Sequence, residues 1–388
     1  QTCALPISFG RFQGTLRQIP AVELGAVVVR EALARAGVSG ENLDNVILGM
    51  VIQAGAGQIP SRQATIKAGL PPEVPSETIN KVCASGLRAV NLGDALIRSG
   101  EAELVVAGGM ENMSAVPYLL PRAREGMRMG DGPVIDGMIR DGLWCPFHQV
   151  HMGVHGSSVP ASEYGITREA MDRWALRSQQ RAVAAMDEGL LDTEIVPVTV
   201  PQRKGESLLF KRDELPRRDS SLEKLAGLPP AFEPDGLITA GNAPPISDGA
   251  AALVLASSRR AQQLGLEPLA EILSFGCASL EPRYIATVPY AAAARALQKA
   301  GLSAGQMELI EVNEAFAAVP LTCIRLGDWD EAKVNVNGGA VALGHPIGAS
   351  GARILMTLVA ELRRRGGGYG LATICSGAAQ GEATLIRV

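Results

Sequence analysis

The stretch from 79 to 109, INKVCASGLRAVNLGDALIRSGEAELVVAGG, reads as extended chain, helix and extended chain in succession. The run Glu77–Val82 is extended. A helix is predicted over Cys83–Ser99, where Leu87, Val90, Leu92, Ala95 and Leu96 supply the apolar face and Gly100 ends it. The next strand is predicted over Glu103–Ala107, stopping at Gly108-Gly109. Strands separated by helices pair in parallel, so this stretch commits the chain to an α/β architecture.

The same alternation extends outward. Upstream, Val22–Ala36 is amphipathic, Asn45–Val51 is strand-like and Pro60–Ala68 is helical. Residues 114–239 differ in texture, being rich in Pro, Gly, Met and Arg with one clear helix over Arg168–Gly189, and they read as an insertion. Gly249–Ser257 resumes as a buried helix or strand. Beyond it, helix Tyr290–Ala300, strand Leu309–Asn313, strand Lys333–Val336, helix Ile347–Arg364 and strand Gly370–Cys375 repeat the earlier order, which predicts duplicated halves. The implied division is 8–113 with 240–260 as a first half, 114–239 as an inserted loop domain and 261–388 as a second half. Residues 1–7, QTCALPI, read as the translation of a sequencing-adapter oligonucleotide, so they are set aside as foreign and Cys3 is given no function.

The 388 residues are 47% hydrophobic and 20% charged, with no apolar run of the length that spans a bilayer, so no membrane role is expected. The net charge of −4 provides no broad basic face for nucleic acid, so any anionic ligand must be held locally. Six scattered cysteines without a framework spacing predict a reducing, cytoplasmic home in which a free thiol can serve as nucleophile.

Cys83 stands where extended chain meets helix, so unpaired backbone N–H groups and the helix dipole would favour a thiolate near neutral pH; the alternative is a small buried residue. His345 lies in a glycine-rich turn before Pro346, a residue suited to the first position of a helix, and could accept a proton or donate to an oxyanion. Cys375 closes a strand of a C-terminal hairpin whose turn is Gly377–Gly381; in that exposed position it is either a proton shuttle or inert. Asn313 could hold a water, and Phe316 reads as core. His148, His151 and His155 are spaced to share a helix face as zinc ligands do, but no cysteine or carboxylate completes the set within the segment and Pro146 and Gly153 argue for irregular backbone, so no metal site is expected.

Taken together, VCASG (82–86), GGMENMS (108–114), HMG (151–153), GNAPPISDGA (241–250), NEAFA (313–317), GHPIGASG (344–351) and CSGAAQG (375–381) resemble the thiolase family over about Phe9 to Val388, nearest to its bacterial short-chain members. The resemblance implies two βαβαβαββ halves stacked as five αβαβα layers, with a loop domain inserted in the first half to bind coenzyme A. It implies that Cys83 is acylated, that His345 takes its proton, and that Cys375 handles the α-proton of the second acyl-CoA. Two oxyanion holes are implied: His345 with a water on Asn313, and the backbone N–H groups of Cys83 and Gly377. Leu143, His151, Met152, Arg217, Ala231, Phe232, Ala315 and Phe316 match positions that line the coenzyme A path. The substrates implied are acyl-CoA and CoA, with no separate cofactor. The assembly implied is a homodimer or homotetramer, the stretch PYLLPRAREGMRMGD (117–131) resembling a tetramerisation loop.

The chain departs from the family where Pro244 replaces Ser, Ala378-Ala379 replace Gly-Gly and Ile285-Ala286 replace Met-Gly. The family's first strand is expected where QTCALPI stands, in the middle of a sheet. Three other readings remain: a degradative 3-ketoacyl-CoA thiolase of broader chain length, a non-catalytic acyl-CoA or lipid-binding relative, and a Cys-His hydrolase of unrelated fold.

Overall fold

Long runs of small and β-branched residues, buried on both faces, build two sheets whose strands follow the same order. The structure, a computed structural model, describes residues 2–388, with side chains from Pro6 onward; Gln1 and the Cys3 side chain lie outside the described residues. In the first sheet, strands β1 (Thr2–Pro6), β2 (Asn45–Gly49), β3 (Ser76–Ile79), β4 (Leu104–Asn112) and β5 (Ser247–Ala256) are ordered β3-β2-β4-β5-β1. β2 runs parallel to β3 and β4, whereas β5 is antiparallel to both β4 and β1. In the second sheet, β6 (Glu271–Ser279), β7 (Met307–Val312), β8 (Tyr369–Ser376) and β9 (Gln380–Arg387) are ordered β7-β8-β9-β6, again with a parallel pair followed by antiparallel ones. The duplication expected from sequence is therefore present, β1, β5, β4 and β2 answering to β6, β9, β8 and β7, while β3 has no counterpart strand in the second sheet among the described residues.

The helices are α1 (Ala21–Ala36), α2 (Pro60–Lys67), α3 (Ser85–Ser99), α4 (Met152–Tyr164), α5 (Arg168–Asp187), α6 (Val288–Ala300), α7 (Ala318–Gly327) and α8 (Ser350–Arg364). α1 and α2 cover the outer face of the first sheet and α6 covers that of the second, while α3 and α8 pack together between them. This is the five-layer αβαβα stack. α8 is buried continuously from Ser350 to Val359, as a helix with a sheet on each side must be. No helix among the described residues is long and apolar enough to cross a membrane.

Several expected boundaries move, each for a local reason. α3 begins at Ser85 rather than Cys83. Val82 takes φ +44°, and Ser85 Oγ accepts from Lys81 N at 2.8 Å while donating to Val82 O at 2.7 Å, which holds 81–85 as a separate turn. β4 does not stop at Gly108-Gly109 but runs on to Asn112. Those glycines admit close neighbours: a Cβ on Gly108 would lie 2.0 Å from Ala251 O, and one on Gly109 would lie 1.9 Å from Gly348 O. Lys333–Val336 is not a strand; only Val334 bridges Ile310. Asn335 turns away at φ +48°, and its side chain bonds both Val312 N (2.8 Å) and Val312 O (2.9 Å) in place of the next ladder step. α8 starts at Ser350, because Pro346–Ala349 form a turn rather than helix. The segment from Thr2 to Pro6 pairs with β5 at the sheet edge and not in its middle, and Pro6 O also accepts from Val196 N at 2.8 Å.

Candidate active site

Small residues let three loops converge on Cys83. A Cβ on Gly86 would lie 2.9 Å from both Ala352 N and Gly348 O, so the start of α3 abuts the turn that follows His345. Ser376 Oγ donates to Lys81 O, which brings the C-terminal hairpin to the same place. The thiol of Cys83 is buried, and the backbone N–H groups of Cys83 and Gly377 favour negative charge on its sulfur. These donors lower its pKa as expected, but burial outweighs them and pushes the thiol up to about 12. The expectation of a resting thiolate is thereby corrected.

Cys375 is also corrected: it is fully buried, not exposed. Burial, followed by the charge of nearby Cys83, holds its thiol well above the ordinary range. The two sulfurs are therefore electrostatic neighbours although nearly three hundred residues apart in sequence. The turn after Cys375 is strained: Ala378 and Ala379, standing where the family resemblance calls for glycines, take φ +60° and +48°.

His345 is buried, which lowers its pKa to about 4 and keeps the imidazole neutral. Ser350 Oγ donates to Pro346 O at 2.9 Å and lies 2.6 Å from His345 Nδ1, so the ring places its proton on Nδ1 and leaves Nε2 as acceptor. Nε2 in turn faces Asn313 Nδ2 at 3.4 Å. The other side-chain atom of Asn313, Oδ1, is buried with no protein partner among the described residues, as suits an acceptor reserved for a water or ligand.

Two carboxylates that sequence reading passed over hold these loops. Glu111, inside the GGMENMS stretch, accepts from Val51 N (2.9 Å), Ile52 N (3.2 Å) and Gly348 N (3.0 Å). Glu314, beside Asn313, accepts from Trp174 Nε1, Ser178 Oγ, Asn335 Nδ2 and Val341 N at 2.7–3.0 Å, fastening α5 to the second half. Neither shows a periodicity that marks it; the only sequence signal is an acidic residue within a mostly apolar run. Burial pushes the Glu111 carboxyl up to about 8 from 4.5. Because the folded value is the higher one, its contribution to stability is complete below pH 4.5 and is lost as the pH rises through about 8. The melting temperature of the wild type is expected to fall over that window with a steeper slope than that of Glu111→Gln, as measured by calorimetry across pH.

Of the residues matched to the coenzyme A path, His151, Phe232 and Phe316 form an aromatic ladder. His151 stacks on Phe232 at 4.0 Å between centroids, and Phe232 meets Phe316 edge-on at 6.2 Å. The glycines of the HMGVHG run permit this. A Cβ on Gly153 would lie 2.0 Å from the Phe232 ring and one on Gly156 2.4 Å from the Phe316 ring. Met152 reaches the turn at Gly377, Leu143 packs against both cores, and Ala315 is buried beside Phe316. Arg217 and Ala231 are exposed, tied by backbone bonds to Gln179 Oε1 and Ile238 O. A separate cleft of about 1090 Å³ includes Gly377 and Met152 in its walls but not Cys83, His345 or Asn313. The three histidines do not share a face. His151 caps α4 through Nδ1, whereas His148 and His155 meet each other, and Cys145 joins them to complete the set thought missing.

A thiolase N-terminal domain model matches residues 4–259 and a thiolase C-terminal domain model matches 266–388. The acetyl-CoA acetyltransferase of Pseudomonas aeruginosa is 54% identical over 97% of this chain and 96% of its own length. That of Escherichia coli is 49% identical over 99% and 97%. The crystal structure of the Bacillus anthracis acetyl-CoA acetyltransferase superposes with a TM-score of 0.97 at 42% identity, covering 99% of this chain and 97% of that one. Matched in both halves and over nearly its whole length, the chain belongs to the thiolase family.

Proposed function

We propose that the chain catalyses the reversible Claisen condensation of two acetyl-CoA to acetoacetyl-CoA and CoA, and the thiolytic reverse, by a ping-pong route through acyl-Cys83. The observation that carries this reading is the convergence on buried Cys83 of the turn after His345, through Gly86 against Gly348 O, and of the hairpin carrying buried Cys375, through Ser376 Oγ donating to Lys81 O. In the first half-reaction Cys83 attacks the thioester as its proton passes to His345 Nε2. That proton then leaves on the departing CoA thiolate. The N–H groups of Cys83 and Gly377 stabilise the oxyanion, and losing one such donor costs about 3 kcal/mol of barrier. In the second half-reaction Cys375 gives its thiol proton to His345 Nε2, and its thiolate takes a proton from the methyl of the incoming acetyl-CoA. The resulting enolate, its oxygen held by the protonated Nε2 of His345 and a water on Asn313, attacks acetyl-Cys83 and frees the Cys83 thiolate, which recovers a proton from His345.

The acetyl-CoA acetyltransferases about half identical in sequence support acetyl-CoA as the substrate. Thiolysis of a ketoacyl-CoA series tests this: a rate highest for acetoacetyl-CoA supports the reading, and a rate peaking at long chains replaces it with the degradative one. For the coenzyme A path we assign Leu143, His151, Met152, Arg217, Ala231, Phe232, Ala315 and Phe316. Gly153→Ala drives a methyl into Phe232 and so unstacks His151. Its KM for CoA is expected to rise about tenfold, roughly 1.4 kcal/mol, with kcat little changed in steady-state thiolysis.

Residues 114–239 serve in this reading as the coenzyme A-binding insert, flanked by the halves 8–113 with 240–260 and 261–388. We further propose a homotetramer working in the cytoplasm. The loop 117–131 exposes Tyr118, Leu120, Met127 and Met129, the last at 98%, which is the apolar surface a subunit contact would cover. Sedimentation of the intact chain beside a variant with those four residues changed to Ser measures the assembly.

A further inference from the structure

Cys145, His148 and His155 take no part in the acyl chemistry, yet one ligand atom from each lies within 4.8 Å of the others. The short strands Trp144–Cys145 and Val150–His151 pair antiparallel, with Gln149 at φ +55° between them. Gln149 N donates to Cys145 O at 2.9 Å, closing the hairpin so that His148 folds back over Cys145. α4 begins at Met152, immediately after that hairpin, and places His155 in its first turn facing the same spot. His148 Nδ1 and His155 Nε2 come to 3.0 Å with their rings near perpendicular at 85°.

A single proton shared between two imidazoles would explain the nitrogen pair alone. It leaves unexplained why a buried cysteine turns into the same spot and why His148 is held from behind. The second nitrogen of His148, Nε2, faces Glu281 Oε1 at 3.5 Å, and Glu281 is itself fixed by Arg283 at 2.6 Å. A carboxylate that accepts the outer N–H of a histidine turns the inner nitrogen's lone pair toward the centre, as is usual behind metal ligands. One thiolate and one nearby carboxylate also balance a divalent charge. Soft sulfur combined with two imidazoles selects zinc, or cobalt as its spectroscopic substitute, over magnesium or calcium.

We propose that Cys145 Sγ, His148 Nδ1 and His155 Nε2 form a three-ligand site for a zinc-like divalent cation, with water in the fourth position, which ties the Trp144–His151 hairpin to α4. On binding, Cys145 releases its thiol proton to solvent and no redox step occurs. The ion acts as a staple on the segment that presents His151 to Phe232.

The test uses the full chain without an affinity tag, stripped with chelator and then dialysed against micromolar zinc or cobalt. About one equivalent of metal per chain is expected. The cobalt form should show a thiolate-to-metal charge-transfer band that survives Cys83→Ala and disappears in Cys145→Ser. His148→Ala, at a half-exposed position that tolerates truncation, should keep its circular dichroism spectrum and bind zinc at least about tenfold more weakly. Zinc should raise the melting temperature of the wild type and leave that of His148→Ala unmoved. Wild type holding no more metal than His148→Ala overturns the proposal, as does a cobalt spectrum that Cys145→Ser leaves intact or Cys83→Ala removes.

Discussion

Cys83→Ala is expected to lose at least about four orders of magnitude in thiolytic kcat, as removal of a covalent nucleophile does, while its melting temperature stays close to that of the wild type. The sulfur is buried but small, and Ala fits the same space, so folding and catalysis separate at this position. No acetyl adduct should form on the peptide carrying residue 83 after mixing with acetyl-CoA, whereas the wild type should acquire one acetyl group there. The free thiol supplies a second readout. Since burial pushes it up to about 12 and keeps His345 neutral, the resting pair is thiol and imidazole, not an ion pair. The rate of alkylation by iodoacetamide should therefore keep climbing through pH 9, the ordinary thiol value. A plateau near neutrality would show a preformed thiolate and sink the account of burial given for this site. The catalytic consequence is that the nucleophile is generated only when a thioester sits in the N–H pair of Cys83 and Gly377, which guards an otherwise reactive sulfur against adventitious chemistry.

The architecture was legible because it depends on periodicity. Strand, helix and strand around Cys83 and all but one element of the second-half echo followed from apolar spacing and turn residues, and the structure keeps their order. What sequence misjudged depends on contacts made across the fold. Gly108 and Gly109 looked like a strand end, but they are needed because Ala251 O and Gly348 O approach from other segments. Lys333–Val336 carries strand propensity, yet the side chain of Asn335 takes over the ladder bonds of Val312. Cys375 looked exposed at the end of a hairpin because nothing local reveals that it is buried in the core of the second half, with Val288, Val312 and Phe316. The thiolate expected for Cys83 rested on the helix terminus alone, and burial, a sum over distant neighbours, reverses its sign. Glu111 and Glu314 show the same limit: each satisfies donors that lie dozens to hundreds of residues away, so no window of sequence contains the reason for them.

Cys375→Ala is expected to divide the reaction in two. Acyl transfer to Cys83 needs only the nucleophile, His345 and the N–H pair, so acetyl-Cys83 should accumulate from acetyl-CoA within about tenfold of the wild-type rate. Condensation requires a proton to leave the second acetyl methyl, and with the base gone it should fall by about 10³- to 10⁴-fold. Cys375→Ser should behave alike, because a hydroxyl is too weak an acid to be present as its anion. Electrostatics gives the order of the two steps a physical basis. Burial and the proximity of Cys83 both hold the Cys375 thiol protonated, because two thiolates side by side repel. The two sulfurs cannot ionise together, so Cys375 can act as a base only while Cys83 is uncharged, a state that acylation locks in as a thioester. Cys83→Ala, which also leaves position 83 uncharged, should accordingly still exchange the methyl protons of acetyl-CoA with deuterated solvent, whereas Cys83→Ala combined with Cys375→Ala should not, as followed by proton NMR. Exchange by the double variant as fast as by Cys83→Ala, or condensation by Cys375→Ala within tenfold of the wild type, would remove Cys375 from the role of base and leave the two thiols as neighbours without a division of labour.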